Sequence, residues 1–205
     1  MKIAFVLDPL AELKPRKDSS IAMMREASRR SHEIYALGMA DLFVQEGSVA
    51  ARAVPLAVGE DDAAWCREGA PEEVPLSFFD LVAMRKDPPF DQEYYYATLL
   101  LERAEAEGAR VVNAPRALRD WNEKLSILRF PQFTPPTMVS RDPARIHAFV
   151  ERHGDAILKK LDGMGGTSVF RVRDDDPNRN AIVEAVGRHG ERTMMAQRFI
   201  PEIAE

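Results

Sequence analysis

The stretch Asp155–Phe170, DAILKKLDGMGGTSVF, limits the possible fold more than any other part of the chain. Ala156–Leu161 has the apolar density of a strand, Asp162-Gly163-Met164-Gly165-Gly166 has the composition of a flexible turn, and Thr167–Val172 resumes as a strand. Glycine lacks the Cβ that blocks close approach and positive φ, so such a loop is able to fold backbone N–H groups around an anion. Lys159, just before the loop, is placed to add an ammonium to the same anion. An ordinary hairpin with a loose turn has the same composition, and this stretch alone leaves both readings open.

The elements around it supply a context. Lys2–Leu7 is a nearly continuous apolar run, as expected for a strand buried on both faces. Ser20–Arg30 follows as a helix, with Ile21, Met24 and Ala27 on one face and Asp18 or Ser19 as N-cap. Glu33–Leu37 returns as a strand, so the chain opens as a βαβ unit with a parallel sheet. Leu42–Val58 reads as a β-hairpin or arm around Glu46-Gly47. Gly59–Pro75 reads as a surface excursion. Phe78–Met84 is a further strand, then Asp91 caps a helix over Gln92–Glu107. Arg110–Asn113 is a strand, and Pro115 opens a helix to about Leu128. Residues 1–120 therefore read as an open, mostly parallel α/β domain.

After the proline-rich PQFTPPT the order becomes β-α-β-β-α-β. It runs through a strand near Met138–Ser140, a helix with Asp142 as cap and Pro143 at its first position, the two strands of the glycine hairpin, a helix over Pro177–His189 also opened by Asp and Pro, and a strand over Thr193–Ile200. Two helices on one face of a four-stranded antiparallel sheet are expected for residues 121–205, with the glycine loop as the central turn.

Composition excludes several function classes. The chain has 205 residues, 45% hydrophobic, and its net charge of −5 comes from 33 acidic and 28 basic residues that are well mixed. No basic face points to nucleic acid or anionic membrane. The apolar start ends at Asp8-Pro9, too short for a signal peptide or a membrane span, so a soluble, cytoplasmic protein is expected. Cys66 is the single cysteine, which rules out an internal disulfide. His32, His147, His153 and His189 do not follow zinc spacing.

MRKDPPFD, Met84–Asp91, is the second chemical cluster. Arg85 and Lys86 at the carboxyl end of a parallel strand present a planar guanidinium and a point cation, suited to a carboxylate ligand; a salt bridge from Arg85 to a nearby acid is the plainer alternative. Lys14–Ser20 forms a second polar edge on that side, with a solvated loop as its alternative. No P-loop and no dinucleotide fingerprint is present.

With these motifs in order, the chain resembles prokaryotic-type glutathione synthetase, a member of the ATP-grasp superfamily. The resemblance is carried by Asp8-Pro9 with KDSS downstream, by MRKDPPFD, by N-x-P-x-x-L-R-D-x-N-E-K over Asn113–Lys124, by ILK-x-LDGMGG over Ile157–Gly166, and by MAQ-x-x-x-P over Met195–Pro201. It implies ATP-dependent joining of glycine to γ-glutamylcysteine through an acyl phosphate, with Mg²⁺, in a homo-oligomer. It implies that Lys124 and Lys159 touch the ATP phosphates, that Gly163, Met164, Gly165 and Gly166 form a lid, and that Gln197, Phe199 and Ile200 line the adenine pocket. Asp18, Ser19 and Arg85 would hold the peptide substrate. No side chain is implied as a nucleophile.

The chain departs from the family pattern in three places. Lys160 stands where the family usually has proline, and Ser31 replaces a usual glycine. The family continues past Pro201 into a second lobe with the Mg²⁺ ligands, so the chain as given is expected to be incomplete and inactive alone. A non-catalytic nucleotide- or peptide-binding remnant that needs a partner chain is the alternative function; a different ATP-grasp ligase is a third, against which MRKDPPFD counts.

Overall fold

The computed structural model describes residues 1–204, which separate into two units, Met1–Asp120 and Trp121–Glu205. The first is built on β1 (Lys2–Val6), α1 (Ser19–Arg29), β2 (Glu33–Leu37), β3 (Leu42–Gln45), β4 (Ser48–Val58), β5 (Cys66–Glu68), β6 (Glu72–Pro75), β7 (Leu81–Met84), α2 (Gln92–Ala106), β8 (Val111–Val112) and α3 (Pro115–Asp120). Its sheet runs β3-β4-β2-β1-β7-β8, with β5 and β6 also paired to β4. The strands β2, β1, β7 and β8 are mutually parallel, and β4 extends them by antiparallel pairing.

Alternation along β1 explains why the sheet is covered on both sides. Ala4 and Val6 point into one core with Tyr35, Leu37, Val82 and Leu101. Ile3 and Phe5 point into the other with Ile21, Met24 and Ile34. Helices α1 and α2 supply those opposite covers, and each buried aliphatic side chain contributes about 1.5–3 kcal/mol. Asp18 caps α1 by accepting from the N–H groups of Ser20 and Ile21, and Asp91 caps α2 by accepting from Tyr94.

The second unit contains β9 (Thr137–Ser140), α4 (Pro143–His153), β10 (Asp155–Lys160), β11 (Val169–Arg173), α5 (Arg179–Gly187) and β12 (Met194–Arg198). Its four strands lie in the order β11-β10-β12-β9 and are antiparallel throughout. Ala156, Leu158, Val172 and Ala196 face α4 and α5 with Ile146, Val150 and Val183. By the same alternation Ile157, Lys159, Met195 and Gln197 face the other side.

Four expectations need correction. Gly59–Pro75 is not a simple excursion, because its two short strands complete pairing along β4. The helix opened by Pro115 ends at Asp120, since Asn122 Oδ1 accepts from the N–H groups of Lys124 and Leu125 and starts a separate 3-10 turn there. The Pro177 helix starts only at Arg179, behind Asn178, which makes no side-chain cap. Asp176 instead closes a local turn by accepting from Asn178 N–H at 2.8 Å. Helix α5 also ends at Gly187, so His189 lies beyond it with φ 53°. Among the described residues no helix is long and apolar enough to cross a membrane.

Candidate functional site

In the first unit the chain leaves β1 toward β2 on one side and finds β7 on the other, so the carboxyl ends of β1 and β7 form a topological switch point. Asp8 follows β1, and Arg85-Lys86-Asp87 follow β7. Lys86 Nζ lies 2.8 Å from Asp8 Oδ1 and donates to the Asp87 carbonyl at 2.6 Å. Asp8 Oδ2 accepts from the Asp87 backbone N–H at 2.9 Å. One carboxylate thus ties together the two strand ends. Arg85 reaches the start of α1, where Nε donates to Ser20 Oγ at 3.2 Å and Nη2 to Ser19 Oγ at 2.8 Å.

The sequence-predicted residues Asp18, Ser19 and Arg85 are therefore gathered on one rim. The salt bridge from Arg85 offered as its plainer role is not formed: Lys86 makes the ion pair with Asp8, and among the described residues Arg85 meets the hydroxyls of Ser19 and Ser20. Partial burial, followed by the charges of Asp8 and Asp18, pushes the Asp87 carboxyl above the ordinary aspartate range. Burial likewise raises the Tyr94 phenol, with the Asp87 charge adding to it. Beside the Asp8–Lys86 pair lies a cleft of about 470 Å³ with apolar walls that include Leu7, Leu10, Leu37 and Met39.

In the second unit the glycine loop joins β10 to β11. Gly165 and Gly166 take φ values of 61° and 75°, which L side chains rarely adopt. Gly163 has a different reason to be glycine, because a Cβ there would lie 2.2 Å from Lys160 Cε. Lys124 Nζ donates to the Gly163 carbonyl and pairs with Glu123. Asn122 Nδ2 approaches the Leu161 carbonyl at 3.5 Å. Lys159 is half-buried; burial first, and the nearby charge of Lys124 second, push its ammonium below the usual lysine range. Two cations of like sign therefore flank one glycine loop, an arrangement that an added polyanion would relieve.

Gln197 is buried, and its Nε2 donates to Thr137 Oγ1 at 3.0 Å. Phe199 and Ile200 line a cleft of about 400 Å³, and the Arg171 guanidinium lies 3.6 Å from the Phe199 ring centroid. Met164 is exposed at 41%. Lys124, Lys159 and Gly163 are thus brought together, while Gln197, Phe199 and Ile200 continue along and beyond β12.

Residues 1–119 match the model of the prokaryotic glutathione synthetase N-terminal domain, and residues 123–205 match that of the prokaryotic glutathione synthetase ATP-grasp domain. The chain belongs to the prokaryotic glutathione synthetase family. It is 54% identical over its whole length to the glutathione synthetase of Nitrosomonas europaea and 50% identical to that of Vibrio cholerae, and it spans 65% and 64% of those proteins' own lengths. Solved structures similar in fold include a RimK domain ATP-grasp protein from Sphaerobacter thermophilus, with TM-score 0.60 at 24% identity. That likeness covers 98% of this chain and 65% of the solved one. Another is D-alanyl-alanine synthetase A from Vibrio cholerae, with TM-score 0.59 at 11% identity, covering 97% and 60%.

Within this glutathione synthetase family chain, sequence reasoning did not single out the side chain of Asp87, the Arg171–Phe199 stack or the Glu123–Lys124 pair. MRKDPPFD contained Asp87, but only the contacts of Asp8 and Lys86 reveal which of its charges stay unmatched. Asp162 has Oδ2 3.9 Å from Arg192 and a buried Oδ1 without a hydrogen-bond partner among the described residues. Among the described residues no group of three or more His, Cys, Asp and Glu side chains is placed to hold a metal ion.

Proposed function

We propose that the chain carries the peptide-binding domain and one half of the ATP site of a ligase that joins glycine to γ-glutamylcysteine. The observation that carries this reading is the pair Lys124 and Lys159 around the glycine loop, in a chain whose family is prokaryotic glutathione synthetase. ATP is the phosphoryl donor in this reading. Lys124 and Lys159 offset charge on its phosphates, the loop over Gly163–Gly166 covers them, and Gln197, Phe199 and Ile200 border the adenine. Arg85, with Ser19 and the capped start of α1 at Asp18, holds the dipeptide.

No residue of the chain acts as nucleophile. The cysteinyl carboxylate takes the terminal phosphoryl group, and the glycine amine then displaces phosphate from the acyl phosphate. Rate enhancement comes from positioning and from cations at the developing charge. The described residues do not form the magnesium site implied by the family, and no step here is assigned to a metal. Cytoplasmic location and homo-oligomeric assembly belong to this reading as well.

Calorimetry with ATP and with γ-glutamylcysteine in separate titrations tests it. Two saturable heats are expected, with Lys159→Met weakening the first and Arg85→Ala the second. Failure of either ligand to bind, or loss of both heats in either variant, would sink the reading.

A further inference from the structure

The rim at the ends of β1 and β7 holds three carboxylates and two cations, and their partners divide them unequally. Asp8 is engaged twice, by Lys86 Nζ and by the Asp87 N–H. Lys86 is engaged by Asp8 and by the Asp87 carbonyl. Asp18 accepts from two N–H groups at the positive end of α1, which offsets its charge. Two groups remain. Arg85 is held by the hydroxyls of Ser19 and Ser20, which orient the guanidinium but leave its charge unmatched. Asp87 has its backbone fixed at both N–H and C=O, while its carboxylate makes no hydrogen bond or ion pair among the described residues.

Asp8 and Lys86 hold the Asp87 backbone at the rim, and its side chain is exposed there. The rim therefore presents one oriented free cation and one free anion, two residues apart on a backbone stiffened by Pro88 and Pro89. This is the complement of a zwitterion.

Resting on the reading of the first unit as the peptide site, we infer that Asp87 receives the ammonium, and Arg85 the carboxylate, of the free α-amino acid head of the γ-glutamyl group. The dipeptide carries a second carboxylate, on its cysteine, and that is the one to be activated. A site that demands ammonium and carboxylate together accepts only the γ-glutamyl end, so Asp87 sets the direction in which the substrate binds. An N–H···O⁻ contact between two ions is also among the stronger hydrogen bonds.

Three probes test the inference by calorimetry: γ-glutamylcysteine, glutarylcysteine, which lacks only the α-amino group, and 4-aminobutyrylcysteine, which lacks only the α-carboxylate. The unaltered chain is expected to bind γ-glutamylcysteine at least tenfold more tightly than either analogue. Asp87→Asn should erase the preference over glutarylcysteine and keep the preference over 4-aminobutyrylcysteine. Arg85→Ala should do the reverse, and a retained cooperative thermal melt of the first unit, which holds both residues, would confirm folding in each variant. If Asp87→Asn still discriminates tenfold against glutarylcysteine, the role of Asp87 is overturned while the peptide site stands. If none of the three probes binds the unaltered chain, the peptide-site reading falls and the inference with it.

Discussion

Lys159 holds its ammonium half-buried within the electrostatic reach of Lys124, and both the burial and the like charge press it toward the neutral form. Because the folded-state value lies below the unfolded one, the stabilising effect of this group is present above the unfolded lysine value of about 10.4 and lost as pH falls through the folded value. Charged Lys159 is thus a cost at neutral pH. Lys159→Met is expected to raise the midpoint of thermal unfolding at pH 7 and to weaken ATP binding by about 10–100-fold, the scale of a lost charge-assisted contact. Lys124→Met should move the Lys159 titration upward, read from its side-chain NMR shifts. An unmoved titration would mean that the two lysines are not coupled.

The Asp87 carboxyl has the opposite sign of shift. Its folded-state value is raised by partial burial and then by Asp8 and Asp18, so its favourable contribution is complete below the unfolded value of about 3.9 and disappears as pH rises through the folded value. Asp87→Asn should therefore be more stable than the unaltered chain at pH 7 and equal to it near pH 3. Thermal melts across that range check the crossover; a variant that is less stable at pH 7 would show that Asp87 has a structural role.

Helix α1 ends in a Schellman arrangement, with His32 N–H donating to the Ala27 carbonyl at 3.1 Å and Ser31 N–H to the Ser28 carbonyl at 2.9 Å. That geometry puts Ser31 at φ 59°, where a side chain is strained and glycine is not. Ser31, which replaces the family's usual glycine, therefore sits at a position that favours glycine. Ser31→Gly is expected to stabilise the first unit by about 1 kcal/mol. Urea unfolding should show a higher midpoint with an unchanged slope.

Gly163 and Lys160 share space that a methyl group would occupy, with Lys160 Cε and Cγ at 2.2 and 2.9 Å from a Cβ at residue 163. Gly163→Ala must displace the lysine stem at a cost of about 1–3 kcal/mol. The displaced loop should lose ATP affinity by roughly tenfold or more. Adding Lys160→Ala to that variant should restore binding, since it removes the obstructing atoms. Failure of the double variant to recover would place the role of Gly163 elsewhere.

Much of the fold was legible because it depends on local chemistry. The continuous apolar run of β1, the Asp caps of α1, α2 and α4, and the strand–glycine–strand pattern all state their structure within a few residues. The gap around β5 and β6 was not legible, because Cys66–Glu68 and Glu72–Pro75 become strands only by pairing with β4. The early end of α3 was hidden for a related reason: Asn122 competes for the N–H groups of Lys124 and Leu125 through its side chain, and composition alone does not say which partner wins.

The glycine stretch shows the same division. Residue types and order determined a β-α-β-β-α-β unit with a glycine hairpin, the cations near it, and the family to which the chain belongs, because hydrophobic period and turn chemistry act over short distances. Only tertiary structure decided which charges remain free. Lys86 and Arg85 are adjacent cations in sequence, yet among the described residues one is bound to Asp8 and the other only to hydroxyls. Asp87 is an ordinary letter in MRKDPPFD until Asp8 and Asp18 find other partners. Electrostatic roles are set by who lies within a few ångströms, and strands far apart in the chain determine that.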